Sequence, residues 1–143
     1  MKREFIDLAK YRLEKANNTL TYAKTNVEDA FLDSTVNRIY YAVFYAVSAL
    51  LTAKGLFSSK HSGVRSLFNR EFVNKDTVER CWGEFYSDMF DRRQRGDYKD
   101  FVKFEKPQVE DWLVKAGDFI NKIEILTMNI IDTADESVSP DKE

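Results

Sequence analysis

The chain has 143 residues, enough for one domain with a sizeable core, and 43% of them are hydrophobic. Its 22 basic and 24 acidic side chains leave a net charge of -2, which excludes a globally basic nucleic-acid binder while allowing a local patch. Five glycines and two prolines are few for a fold built on hairpins, and one cysteine excludes an internal disulfide and suits a reducing cytoplasm.

The first predicted helix covers about residues 2–25. Ile6, Ala9, Leu13, Ala16, Leu20, Ala23 and Val27 alternate steps of three and four, and the alanines let a neighbouring helix approach closely. Charges interrupt the first ten positions, so no signal peptide is expected. Asn26 or Asp29 is expected to start a second helix that runs to about Lys54 after a tight hairpin. Its stretch 37–55, NRIYYAVFYAVSALLTAKG, is the most apolar in the chain. Ile39, Val43, Val47, Leu50 and Leu51 share one face, and Tyr40 and Phe44 flank it, as expected of a central helix packed on several sides. The run is too short to span a bilayer. Gly55 ends it, since glycine takes the left-handed conformation without steric cost. Arg38 is the exception within this apolar stretch. A buried guanidinium has to be paired or to face a polar cleft.

After Gly55, Ser58, Ser59 and Ser62 offer caps for a short amphipathic helix from about Gly63, carrying Val64, Leu67, Phe68 and Phe72. The sole histidine, His61, is expected here as a solvent-facing or capping residue. One histidine and one cysteine twenty positions apart make a poor metal site, so no metal or other cofactor is expected. Asp76 is expected to cap a fourth helix over 77–95, with Val78, Cys81, Trp82, Phe85, Met89 and Phe90 buried. Arg92, Arg93 and Arg95 suit its carbonyl end, and Gly96 is expected to stop it. Pro107 fits the first turn of a last helix whose apolar positions, Val109 to Leu126, reach about Ile131. Residues 132–143 read as a polar, disordered tail. The sum is an all-α, antiparallel up-down bundle of four long helices plus a short connector helix, in one domain over 1–131.

Few of the familiar chemical motifs are present. There is no phosphate-binding glycine loop, no cysteine pair and no Glu-x-x-His for a di-iron bundle. Three polar patches remain: Asn37, Arg38 and Tyr41; Lys60, His61 and Ser62; and 92–98. The stretches NRIYYAVF (37–44), KHSGV (60–64) and RQRGDY (93–98), in that order and spacing, resemble the HEPN family (higher eukaryotes and prokaryotes nucleotide-binding) over about residues 8–126. The resemblance implies a bundle of four or five helices, a homodimer, and pairing with a minimal nucleotidyltransferase in a toxin–antitoxin-like system. It also implies a nucleotide or RNA ligand at Arg38, Tyr41, Arg93, Asp97 and Tyr98.

Many members of that family are ribonucleases marked by an arginine followed, after four to six residues, by a histidine. Here the corresponding positions hold Asp97, Tyr98 and Lys99 counted from Arg92, and Tyr98, Lys99 and Asp100 counted from Arg93. None is histidine. Metal-independent cleavage needs a group of near-neutral pKa to move the 2′-hydroxyl proton. The expectation is therefore a binding protein. A divergent ribonuclease using His61 or Asp97 is one alternative. A structural dimerisation module with Arg38 and Asp97 as a buried ion pair is another.

Overall fold

The apolar stripes take shape as five helices in the computed structural model, which describes residues 2–25, 27, 31–98 and 103–137. The side chains of 94–98 and 135–137 are outside that description. The helices are α1 (Arg3–Thr25), α2 (Leu32–Ala53), α3 (His61–Phe68), α4 (Arg80–Tyr98) and α5 (Lys106–Ser137). No strand occurs among the described residues.

Helix α1 buries Ile6, Ala9, Leu13, Ala16, Leu20 and Ala23, the stripe read from the sequence. The three alanines are fully buried, so α1 and α2 pack closely. Arg12 reaches Thr52, Lys15 lies over Tyr45 and Arg38 over Tyr22, so the two helices run antiparallel. Helix α2 is central and touches α1, α3, α4 and α5. Its expected start residues, Asn26 and Asp29, lie outside the described residues. Gly55 ends it as expected, with φ +73°. The Leu56 N–H donates to Leu51 O and the Gly55 N–H to Thr52 O, both at 2.9 Å, closing the last turn.

The connector folds back onto α2. Helix α3 starts at His61, two residues earlier than expected, and passes into a π-helical turn over Asn69–Val73. A Cβ on Gly63 would collide with Ser58 Oγ, which accepts the Lys60 N–H at 3.2 Å, so a larger residue would displace that serine and its hydrogen bond. Asp76 does not cap α4. It sits at φ +60° and ends the preceding helical turn much as Gly55 ends α2, with the Thr77 N–H donating to Phe72 O at 2.9 Å. Aspartate is among the few residues that tolerate this conformation.

Helix α4 therefore starts at Arg80, and it continues through Gly96 to Tyr98. Cys81 is exposed rather than in the core, because the buried stripe runs through Tyr86, Met89 and Phe90. Phe119 of α5, fully buried, meets Phe68, Trp82, Phe85 and Tyr86 at centroid distances of 5.8–6.4 Å and holds α4 to α5. Helix α5 runs six residues beyond Ile131, because 132–137 contain no helix breaker. Phe68, Phe72, Tyr86, Phe90 and Phe119 are thus buried inside the chain.

Candidate functional site

Successive turns of α2 present Asn37, Tyr41 and Phe44 on one face, with Tyr40 beside them and deeper. Helix α4 crosses this face and brings in Arg93. Its Nη2 donates to Tyr41 Oη at 3.1 Å and its Nε to Asn37 Oδ1 at 3.4 Å. The guanidinium carbon lies 5.5 Å from the Tyr40 ring centre and 5.3 Å from that of Tyr41. Aromatic faces favour a cation at this range. Arg93 is thus fixed, half-buried, with its charge at the head of an aromatic cluster.

The connector supplies the third component. The His61 ring stacks on Phe44 with centroids 4.2 Å apart and 14° between planes, and it meets Tyr41 edge-on at 5.7 Å. Its Nδ1 lies 2.9 Å from Tyr40 Oη. Burial first, and then the positive charge of Arg93, lower the His61 pKa from 6.5, so the ring is neutral near pH 7. Burial pushes the Tyr40 phenol up to about 12 against the opposing pull of Arg93, so it stays protonated and ties down the imidazole. Tyr86, stacked 6.3 Å from Tyr40, keeps a buried hydroxyl with no hydrogen bond of acceptable geometry among the described residues.

The site expected from the sequence is therefore partly rearranged. Tyr41 and Arg93 come together as expected, and Asn37 joins them. Arg38 does not. It is half-buried on the α1 side with its guanidinium 5.9 Å from the Tyr22 ring centre, so it is neither a core cation nor a neighbour of Arg93 in this cluster. The side chains of Asp97 and Tyr98 lie outside the described residues, and only their helical backbone in α4 is known. His61, expected as a solvent-facing or capping residue, starts α3 and is in the cluster. Its placement depends on the fold-back of α3 onto α2, a contact between segments that local periodicity does not encode. Among the described residues no group of three side chains could hold a metal ion, and no helix is long and apolar enough to cross a membrane.

The HEPN domain family model matches residues 9–126, which includes every element of this cluster. The chain belongs to the HEPN family. A UPF0332 protein of Thermotoga maritima is 50% identical over 119 residues, covering 83% of this chain and 90% of the relative. A Methanocaldococcus jannaschii protein named "Putative toxin MJ0142" is 33% identical over 121 residues, covering 83% of this chain and 82% of its own. A second from that organism, "Putative toxin MJ0605", is 32% identical over 78% of this chain and 82% of its own. As a HEPN domain, the chain has its polar cluster where α2, α3 and α4 converge, and its histidine comes from α3 rather than from beyond the arginine.

Because His61 is the only histidine, its ring protons can be followed without assignment ambiguity. Proton NMR should give it a pKa below 6.5. Arg93→Ala should raise that value part of the way back, since the charge goes while the burial stays. A pKa at or above 6.5 in the wild type would remove Arg93 and burial as the controlling influences.

Proposed function

We propose that this HEPN protein binds a phosphate of a nucleotide or of RNA at the Arg93–Tyr41–His61 cluster, and that it acts as the toxin-like half of a pair with a minimal nucleotidyltransferase. The observation that carries the reading is the Arg93 guanidinium, oriented by Tyr41 and Asn37, beside a neutral imidazole and an aromatic wall. An arginine held in this way gives charge-assisted, directional hydrogen bonds to phosphate oxygens. The toxin names of the two archaeal relatives support the biological setting. A homodimer is part of the proposal, with exposed Tyr22, Phe31 and Val114 as available apolar surface. Arg38 stays outside the proposed contact set.

A second reading is favoured by one specific observation. His61 is neutral and stacked, and in the tautomer whose Nδ1–H donates to Tyr40 Oη its other ring nitrogen is free to act as a base in RNA cleavage. One experiment separates the two. Fluorescence anisotropy with labelled single-stranded RNA reports binding, and gel analysis of the same samples reports cleavage. The expected result is saturable binding without products. Products that disappear in His61→Ala would establish the ribonuclease reading instead.

A further inference from the structure

A second cleft lies on the other side of the Phe44 wall. It has a volume of about 290 Å³ and is lined by α1, α2 and the connector, with Tyr11, Arg12, Lys15, Tyr45, Phe57 and Ser58 among its residues. That volume is at the small end of the roughly 300–1,000 Å³ typical of ligand sites, which suits one nucleotide unit rather than a large ligand. Phe44 belongs to both places, since it lines the cleft and stacks on His61 at 4.2 Å. Tyr45 continues the aromatic row, with its ring 5.9 Å from both Phe44 and Tyr41.

The charges in this cleft stand out. Arg12 is half-buried, and its one hydrogen bond among the described residues is donated by Nη1 to the neutral Thr52 Oγ1 at 2.6 Å. No carboxylate pairs with it among the described residues. A part-buried guanidinium facing a cleft without an anion is costly to keep unless an anion arrives. Burial accordingly lowers its pKa from the ordinary arginine value. Lys15 adds a second cation, 4.6 Å from the Tyr45 ring centre. Tyr11 and Phe57 are 58% and 50% exposed at the rim, Phe57 with the Phe5 ring against it at 5.1 Å.

Aromatic faces interleaved with cations along a groove are what single-stranded nucleic acid needs, because every base can stack and every linkage carries a negative charge. We infer that this cleft is a nucleotide subsite for single-stranded RNA, in which Arg12 and Lys15 take a backbone phosphate and the Tyr11, Tyr45 and Phe57 rings take the adjoining base. The inference rests on the phosphate-binding reading of the Arg93 cluster and extends it. One strand occupies both places, passing across Phe44.

The test uses a fluorescein-labelled oligoadenylate hexanucleotide, with anisotropy titrations of the full chain at several salt concentrations. Tyr11→Ala and Arg12→Gln should each weaken binding about tenfold, while Tyr11→Phe, which keeps the stacking face, should bind like the wild type. Arg12→Gln should also lower the salt slope by about 0.7, the share of one single-strand phosphate, whereas Tyr11→Ala should leave the slope unchanged. Tyr11 is exposed, so its variants should melt like the wild type and keep the test valid even if Arg12→Gln is destabilised. If the cleft variants bind normally while Arg93→Ala is weakened, the subsite is overturned and the Arg93 reading stands. If the cleft variants are weakened and Arg93→Ala is not, the cleft holds RNA alone, and the Arg93 reading falls. A wild type that binds no hexanucleotide overturns both.

Discussion

Arg93→Ala should weaken binding of single-stranded RNA about tenfold or more while the protein stays folded. A hydrogen bond to a charged phosphate contributes roughly 1.5–3 kcal/mol, equivalent to tenfold or more in affinity. Arg93 donates to the neutral, half-buried Tyr41 and Asn37, groups that water can reach once the side chain is truncated. Truncation removes two hydrogen bonds with a charged donor but leaves no buried charge behind, so the loss of stability should be about 1–3 kcal/mol. Arg38→Ala makes the informative comparison. Its guanidinium lies over Tyr22 on the α1 side, so its removal should change RNA affinity much less than the loss of Arg93. Equal losses in the two variants would mean that the ligand spans both sides of α2.

The largest stability effect is expected at Phe119→Ala. The Phe119 ring is fully buried and contacts Phe68, Trp82, Phe85 and Tyr86, which come from α3 and α4. Truncating a core phenylalanine typically costs about 3–5 kcal/mol through lost burial and the cavity left behind. A domain of this size has a total stability of only about 5–15 kcal/mol, so the variant should be near the limit of folding. Urea denaturation measures the difference. Phe119→Leu, which keeps most of the volume, should cost less than about 1.5 kcal/mol. The effect should reach the site as well, because Phe119 holds in place the helix that carries Arg93. A loss below about 1 kcal/mol in Phe119→Ala would show that α4 is held to the bundle by other contacts.

The helices of this protein are legible in its sequence wherever one period governs a long stretch. The α1 stripe from Ile6 to Ala23 is buried residue for residue as its spacing implies, and the near all-round apolar character of α2 marks it as central. Legibility fails where one residue type serves two ends. Asp76 caps helices well and also tolerates positive φ, and only the backbone shows that it does the second. Cys81 lies one position off the buried stripe of α4, a difference of 100° that composition does not reveal. The same rotation separates Asn37, which faces Arg93, from Arg38, which faces α1.

His61 was hidden for a different reason. Nothing local distinguishes a histidine at the start of a connector helix from one in solvent. Its meaning comes from the stacking partner, Phe44, seventeen residues earlier and on another helix. The three-residue row of Tyr40, Tyr41 and Phe44 was the available signal, since so dense an aromatic face on a polar edge calls for a ring or a cation to cover it. Here it receives both, His61 from α3 and Arg93 from α4.

The most direct measurement is proton NMR of the single histidine during an RNA titration. If Arg93 and His61 bind one phosphate together, saturating RNA should shift the His61 ring resonances and raise its pKa, because an adjacent anion favours the imidazolium. Both changes should be clearly smaller in Arg93→Ala at the same RNA concentration. A His61 resonance and pKa that stay fixed while the RNA is bound would place the ligand elsewhere on the protein.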